Sequence, residues 1–278
     1  MPSAPLLRLL SLATLLLAAA AGCGPPVRLP DEPIEDPQVV LSALRTRPVP
    51  STLFVVARAE YYSGRGVRKG KLLVMAAAPD RIRVETLSPT DDMLSLLASP
   101  GGEFTAFERG GTRCVLGGTC PENTGAFLPV PLSIPQIISL LAGLPPVITH
   151  TDPALVLRRR TGRYELHLQD PVSETRQVLE LDPFRLDVLA TRLERDADGL
   201  RIRVDFEDYR DRGSYRIPDR IRIRLPRDGT DLSLELREVE TDLEFAGDPF
   251  TVTCPRGAAV ERLLCPGEEP LPEIEEAP

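Results

Sequence analysis

Polar and apolar residues alternate with a period of two along most of the chain after Thr52. The stretch 201–206, for example, reads RIRVDF, so charged side chains occupy every second position. A strand of this kind has one buried and one solvated face, which is typical of an antiparallel sheet. The pattern therefore predicts a mainly β (α+β) fold.

Turn residues separate the alternating stretches and set the expected strand ends. Glycines, prolines and Asp-Gly pairs are the residues that hairpin turns favour, and Asp198-Gly199 and Asp228-Gly229 are examples. The stretches between the turns predict strands over 52–62, 67–77, 81–87, 103–108, 113–116, 155–160, 163–169, 176–181, 186–194, 200–209, 220–225 and 232–239.

One segment near the start of the domain has helical spacing. Asp36 followed by Pro37 is typical of an N-cap and a first helical position. Val40, Leu41 and Leu44 then share one face. A short helix is therefore predicted over 37–46.

A second helix is predicted in the middle of the chain. Ser133 and Gln136 have the spacing of a capping box, and Gly143 ends the helix before two prolines. Four aliphatic side chains share its apolar face, which is too apolar for a solvated helix. These are Ile134, Ile137, Ile138 and Leu141.

The first 22 residues have the features of a secretory signal. Arg8 precedes an apolar run from Leu9 to Ala21 that ends in small side chains. This run is shorter than the roughly 20 residues that a membrane-spanning helix needs. Residues 1–22 are therefore predicted to be a signal peptide, and a single transmembrane anchor is the weaker alternative.

Residues 17–23 read LAAAAGC and resemble the lipobox of bacterial lipoproteins. The resemblance implies cleavage before Cys23 and acylation of that cysteine, which attaches the chain to a membrane because each buried methylene contributes about 0.8 kcal/mol. Gly24 stands where an aspartate commonly retains lipoproteins in the inner membrane, so the resemblance implies an outer-membrane protein facing the periplasm. The alternative is an ordinary signal peptide followed by a chance cysteine.

Composition sets the boundaries of the folded domain. Five prolines between residues 24 and 37 predict a semi-rigid tether over 23–36. Five glutamates after Cys265 predict an acidic, disordered tail over 266–278. The folded domain is therefore expected to span 37–265.

The charge balance argues against a nucleic-acid partner. The chain has 33 basic and 41 acidic residues, which gives a formal net charge of −8. Its only lysines are Lys69 and Lys71, tryptophan is absent, and no aromatic residues interleave with a basic patch.

Four cysteines remain once Cys23 is set aside for the lipid. In an exported chain they are expected to form disulfides, and three pairings are possible. Cys114–Cys120 and Cys254–Cys265 close the shortest loops and are the favoured pairing. A zinc site is the alternative, although neither spacing is the CxxC of common zinc sites.

No pattern of catalytic residues emerges from the sequence, and no cofactor is expected. His150 and His167 are the only histidines, and His167 falls in an alternating strand, where a surface position is favoured. The glycines near residue 66 lack the spacing of a nucleotide loop and indicate a hairpin. Asp196 to Glu207 only superficially matches a calcium loop, because a strand occupies the remaining ligand positions.

Four short segments resemble LolA/LolB-like lipoprotein carriers and related uncharacterised lipoproteins, across about 37–257. They are the strand-turn segment 79–89, the lid-helix segment 131–143, the strand entry 217–223 and the closing segment 248–252. The resemblance implies a curved antiparallel sheet forming an incomplete β-barrel, covered by short helices, around an apolar concavity that takes lipid acyl chains.

This resemblance makes Ile134, Ile137, Ile138 and Leu141 candidate lipid-binding residues. A curved sheet with one apolar face needs a cover, which this helix can supply. The alternative is that the same face belongs to a filled core. The sequence alone does not separate the two.

A receptor of this family also presents an exposed apolar residue on a loop. In roughly that region, the segment 89–100 contains Met93, Leu94, Leu96 and Leu97. The same segment fits an ordinary strand, which is the preferred interpretation.

Two functions follow from the sequence. The first is a carrier or acceptor that binds the acyl chains of lipoproteins or phospholipids without covalent chemistry. The second is a structural or partner-binding envelope lipoprotein that uses the same fold without lipid transfer. An enzyme is not expected.

Overall fold

A computed structural model describes residues 27–64, 66–128 and 130–267, and most of these belong to one sheet. Its 14 strands are ordered β14-β6-β5-β4-β3-β2-β1-β13-β12-β11-β10-β9-β8-β7. The strands span Thr52–Ser63 (β1), Gly66–Ala77 (β2), Arg81–Leu87 (β3), Met93–Gly101 (β4), Glu103–Glu108 (β5), Arg113–Gly118 (β6), Thr151–Arg158 (β7), Arg163–Asp170 (β8), Thr175–Leu181 (β9), Val188–Arg195 (β10), Leu200–Arg212 (β11), Tyr215–Leu225 (β12), Thr230–Thr241 (β13) and Ala259–Leu263 (β14). Neighbouring strands are antiparallel, apart from the parallel pair β14 and β6.

Within the described residues, three short helices accompany the sheet. They span Pro37–Thr46 (α1), Pro121–Thr124 (α2) and Ile134–Leu141 (α3). The helix predicted over 37–46 is confirmed, and the Asp36 side chain accepts a hydrogen bond from the N–H of Gln38, as an N-cap does.

Every strand predicted from alternation is present, with ends that differ by a few residues. The segment 89–100 contributes β4, so the strand interpretation is confirmed and the exposed-loop alternative is wrong. Two elements were not predicted, the single turn α2 and the edge strand β14. Both are too short for a periodic pattern to identify them.

The sheet is curved and does not close. Strand β1 pairs with β13 at its centre, where Leu53 lies opposite Thr241, so residues near both ends of the domain meet. Helix α3 contacts both β3 and β12, which are separated by three strands in the sheet order. The sheet therefore wraps around α3, and β7 and β14 remain as its two edges. The expected incomplete barrel is confirmed at this level.

The core lies on the concave face of the sheet. Its largest fully buried side chains include Tyr164, Phe104 and Phe206. Burial of a large apolar side chain contributes about 1.5–3 kcal/mol, so these inward-facing positions contribute most of the stability. The concave face shares one continuous apolar cluster with α1 and α3.

The Pro-rich segment lies against the domain from residue 27 onward. Its Ile34 N–H donates to the hydroxyl of Tyr164 at 2.6 Å. The Val27 side chain and the Arg28 carbonyl lie over Gly162, in the turn between β7 and β8. The predicted signal peptide, the lipidation site Cys23 and the acidic tail from residue 268 lie outside the described residues.

The C-terminal segment returns across the convex face of the sheet to reach β6. On the way, the Pro249 carbonyl accepts a hydrogen bond from Arg83 of β3 at 3.1 Å. Phe250 is buried, and the Arg81 guanidinium lies 5.3 Å from its ring centre. The segment then forms β14, which covers the edge of β6.

Candidate lipid-binding site

Helix α3 begins and ends as the sequence predicts. The Ser133 N–H donates to the Gln136 side chain at 3.0 Å, and the capping box is complete. Gly143 has a φ of +77°, and a Cβ there would lie 2.7 Å from Pro218 and 2.9 Å from the Tyr209 ring. Only glycine fits at this helix end, because both the backbone conformation and the space require it.

A buried tyrosine fixes the end of α3 to the sheet. The Tyr209 hydroxyl lies 2.9 Å from the Gly143 carbonyl and 2.8 Å from the Val188 carbonyl. Burial, reinforced by the charge of Asp187, raises the pKa of Tyr209 above its ordinary value. The hydroxyl therefore stays protonated and acts as a hydrogen-bond donor.

The four candidate lipid-binding residues lie together between α3 and the sheet. Ile134, Ile138 and Leu141 are 0%, 4% and 5% exposed, and Ile137 is partly buried against the same core. A side chain with so little accessible surface borders no space that a water molecule could enter. In this arrangement the face of α3 is therefore a filled core, as in the alternative interpretation.

A recess opens beside this packed helix. It has a volume of about 440 Å³ and lies between the segment that precedes α3 and the ends of β1, β12 and β13. Its apolar lining includes Tyr61, Val130 and Leu225, and the carboxylates of Glu122 and Asp228 also border it. Sequence patterns did not indicate this recess, because loops and strand ends distant in the chain form it.

One wall of the recess is formed by residues 119–128 and 130–132, here called the cover segment. The Thr124 hydroxyl donates to the Leu132 carbonyl at 2.7 Å, which closes the segment on itself. The Asn123 side-chain amide donates to the Gly118 carbonyl at 3.2 Å. Phe127 packs edge-on against Phe104, with ring centres 5.4 Å apart.

The four cysteines form two disulfides, but the predicted pairing is wrong. The bonds join Cys114 to Cys254 and Cys120 to Cys265, with Cα–Cα distances of 5.7 and 5.9 Å. Cys114 and Cys120 flank most of the extended strand β6, which spaces them about 20 Å apart, well beyond disulfide reach. Because β14 runs parallel to β6, its flanking cysteines meet those of β6 in order.

The bridges fasten the cover segment at its start. Cys120 directly precedes α2, so the Cys120–Cys265 bond holds the beginning of the cover segment against the C-terminal segment. Among the described residues that follow, 125–128 and 130–132, the contacts are hydrogen bonds and packing.

The weaker candidate sites do not assemble in the described residues. His167 is half-exposed on β8 beside Glu165, at 3.1 Å, and the glycines near residue 66 form the β1–β2 hairpin. Arg195 donates to Asp198 and lowers the pKa of that carboxyl to about 2. Over the described ranges, no group of three or more His, Cys, Asp or Glu side chains could hold a metal ion.

The convex face of β8 to β12 carries a network of ion pairs. Glu180 lies 3.0 Å from Arg163, 3.5 Å from Arg192 and 3.7 Å from Arg203. Burial alone would raise the pKa of Asp205, but hydrogen bonds from Arg203 and Arg224 outweigh it and leave this pKa below its ordinary value. The charged half of the alternating pattern is thus paired across strands rather than arranged around a reacting centre.

No helix within the described ranges is long and apolar enough to cross a membrane. No protein-family model matches the chain, and no curated protein matches it significantly.

Solved structures show the same fold. A DUF1329 family protein from Desulfovibrio piger is similar with a TM-score of 0.54 and 13% identity, over 76% of this chain and 93% of that one. A LolA superfamily protein from Nitrosomonas europaea has a TM-score of 0.52 and 11% identity, over 79% and 98%. A domain from Vibrio parahaemolyticus assigned to outer membrane lipoprotein sorting has a TM-score of 0.54 and 11% identity, over 77% and 97%.

These comparisons confirm the fold that the sequence resemblance implied. The chain has the unclosed, helix-covered sheet found in LolA superfamily and DUF1329 proteins. At identities of 11–13% the likeness extends to the fold alone.

Proposed function

We propose that this protein is an outer-membrane lipoprotein, anchored through Cys23 and facing the periplasm, that binds lipid acyl chains beneath its cover segment. The observation that carries the proposal is the recess of about 440 Å³ between the cover segment and the sheet. This volume lies within the range of small-molecule sites, and the recess is broadly open to solvent rather than enclosed. The shared fold with a domain assigned to lipoprotein sorting supports the same substrate class.

The recess is the entry point in this proposal, and α3, whose residues do not line the recess, has to shift for an acyl chain to pass further in. Val130 and Leu225 offer an acyl chain an apolar wall, and the filled core beneath α3 lies further in. When α3 shifts, its aliphatic side chains lose contacts with the sheet and gain contacts with the entering acyl chain. Because both kinds of contact are apolar, little hydrophobic free energy is lost. The disulfide at Cys120 holds the start of the cover segment, while its second half moves.

The test is to fill the recess and measure binding of a fluorescent long-chain fatty acid. Ala126 is exposed at the recess, so Ala126→Trp places a large ring there without replacing a core residue. Val172 is 92% exposed in the β8–β9 turn, and Val172→Trp is the matched control. We expect at least tenfold weaker binding for Ala126→Trp and unchanged binding for the control. Equal binding by both variants would contradict the recess as the entry point.

A second test addresses α3 itself. If the core beneath α3 opens for acyl chains, Ile138→Phe lowers probe affinity and costs little stability. If it stays closed, the larger ring overpacks the core and costs about 1–3 kcal/mol of unfolding free energy. Probe titration and urea unfolding of the same variant distinguish the two results.

The anchor is tested separately. Cys23 is the residue in the lipobox pattern that can form the thioether, so Cys23→Ser should abolish acylation and move the protein to the soluble fraction. Sedimentation of this variant with membranes at the wild-type level would contradict the lipoprotein assignment.

The second candidate function is a partner-binding envelope lipoprotein without lipid transfer. The tight burial of Ile134 and Ile138 favours it, because a permanently filled core leaves no acyl site. A domain that never binds the probe, in which Ile138→Phe is strongly destabilising, would contradict the carrier and leave the structural or partner-binding lipoprotein.

A further inference from the structure

Most arginines in the described residues are engaged by a partner. Their guanidinium groups pair with carboxylates, donate to carbonyls or lie over aromatic rings, as in the network around Glu180. Within the described ranges, five have no such partner. These are Arg28, Arg68, Arg159, Arg160 and Arg256.

Three of these five arginines lie at or next to the turn between β7 and β8. Arg159 and Arg160 are exposed in the turn between β7 and β8. The backbone of Arg28 lies over Gly162 in the same turn, where a Cβ would be 2.9 Å from the Arg28 carbonyl oxygen. A chain with a net charge of −8 thus carries a local concentration of unpaired positive charge.

Nearby acidic residues leave these three arginines free. Glu165 pairs with Arg158, at 2.6 Å, and Glu180 pairs with Arg163. Asp31 and Glu32, at the bend that follows Arg28, form no ion pair with these three arginines in the described part of the chain.

Apolar side chains flank the same arginines. Val27 and Leu29, on either side of Arg28, are 47% and 36% exposed. Exposed aliphatic residues next to arginines are typical of surfaces that lie at a lipid interface, where the stem of the arginine also finds an apolar environment.

The position of this turn relative to Cys23 completes the argument. Val27 packs over Gly162, and Val27 follows Cys23 by four residues. Four residues span at most about 14 Å when fully extended. An acyl chain on Cys23 therefore keeps the turn close to the membrane surface.

We propose that the β7–β8 turn, with Arg28, Arg159 and Arg160, docks onto anionic phospholipid headgroups. The proposal deepens the anchoring part of the proposed function. The lipid supplies attachment, and the arginines orient the domain by holding this end of the sheet against the bilayer. The attraction is electrostatic and weakens with salt.

The test uses the chain from Gly24 onward, which lacks the acylated cysteine and retains every described residue. Its binding is measured by co-flotation with vesicles of phosphatidylcholine alone and of equal parts phosphatidylcholine and phosphatidylglycerol. One variant carries Arg159→Gln with Arg160→Gln. The matched control carries Arg68→Gln with Arg256→Gln, which removes the same charge from unpaired arginines elsewhere.

We expect binding to the phosphatidylglycerol vesicles only, with loss of binding as salt rises. Each arginine near an anionic surface contributes about fivefold, so the turn variant should bind about 25-fold more weakly. The control should bind as the wild type does. Equal loss in both variants, or no binding by a wild type that circular dichroism shows to be folded, would overturn the proposal. Since the test chain lacks Cys23, this result and the fractionation of Cys23→Ser are independent.

Discussion

The two edges of the sheet are protected in different ways. At one edge, β14 covers β6 and two disulfides hold it there. At the other, β7 is flanked by α1 and the N-terminal segment, which depend on hydrogen bonds, a buried ion pair and apolar contacts. An open sheet needs both edges blocked, because unpaired strand edges invite association.

The difference follows from the local supply of apolar side chains. Val40, Leu41 and Leu44 give α1 a buried face, so that edge has a core of its own. Strand β14 has no fully buried residue, so packing alone does not retain it. The two disulfides therefore lie at the edge whose outermost strand, β14, has few buried side chains.

The largest expected effect comes from removing both disulfides. The Cys114–Cys254 bond has a sequence separation of 140, which is worth about 5 kcal/mol of chain entropy. The second bond then closes a ring of only about 17 residues, worth about 3 kcal/mol. Replacing all four cysteines by serine should therefore cost about 8 kcal/mol, enough to unfold many domains.

Urea unfolding monitored by circular dichroism measures this loss. The matched control is the double replacement Cys120→Ser with Cys265→Ser, which should cost only about 3 kcal/mol because the long loop stays closed. A four-serine protein as stable as the wild type would mean that β14 is held by packing after all.

The buried carboxylate of Asp187, which precedes β10 and pairs with Arg47 at the end of α1, carries the next largest effect. Asp187 is 3% exposed, accepts hydrogen bonds from Arg216 and pairs at 3.1 Å with Arg47, directly after α1. Asp187→Asn should cost about 3 kcal/mol, since Arg47 loses its carboxylate partner and Arg216 loses the buried one of its two. Asp211→Asn is the control: this exposed carboxylate also pairs with Arg216, and its loss should cost less than about 1 kcal/mol. Similar losses of thermal stability for Asp187→Asn and Asp211→Asn would contradict the expectation that the buried carboxylate stabilises the fold more than the exposed one.

A smaller effect is expected for Tyr164→Phe. The Tyr164 hydroxyl accepts from the Ile34 N–H, so its loss leaves a partly buried donor without a partner, at about 1 kcal/mol. Faster amide hydrogen exchange at Ile34 should accompany it, because the N-terminal segment loosens first. Tyr62→Phe, at an exposed tyrosine, should change neither quantity.

The smallest effect concerns the start of α1. Asp36→Ala removes the exposed N-cap that accepts from the Gln38 N–H at 2.8 Å and should cost about 0.5–1 kcal/mol in chemical unfolding. Asp31→Ala, in a bend without a helix to cap, should fall within about 0.5 kcal/mol of the wild type. A larger loss for Asp31→Ala would assign the stabilisation of this edge to the N-terminal segment rather than to α1.

Local features of the fold were predictable from the sequence. The capping box at Ser133, the N-cap at Asp36 and the hairpin turns depend on residues a few positions apart. Long-range features were not. The pairing of Cys114 with Cys254 depends on the parallel contact of β14 with β6, and no periodic pattern marked β14.

The candidate site shows the same contrast between local and long-range features. The apolar face of α3 was identified, because helical spacing groups Ile134, Ile138 and Leu141 on one side. Whether that face borders a cavity depends on side chains from strands far apart in the chain. The recess near Leu225 and the unpaired arginines at 159 and 160 emerged only once the strands were placed.

If the chain is exported as proposed, the order in which its cysteines leave the cytoplasm opposes their final pairing. During export, Cys114 reaches the periplasm before its partner Cys254, which lies 140 residues later in the chain. The thiol nearest to Cys114 in the meantime is that of Cys120. At synthesis rates of about 5–20 residues per second the delay is on the order of 10 s, and thiol exchange begins on a similar timescale. Early formation of the β5–β6 hairpin would keep the first two thiols apart during this interval, so secretion yield should depend on a disulfide isomerase whenever that hairpin is weakened.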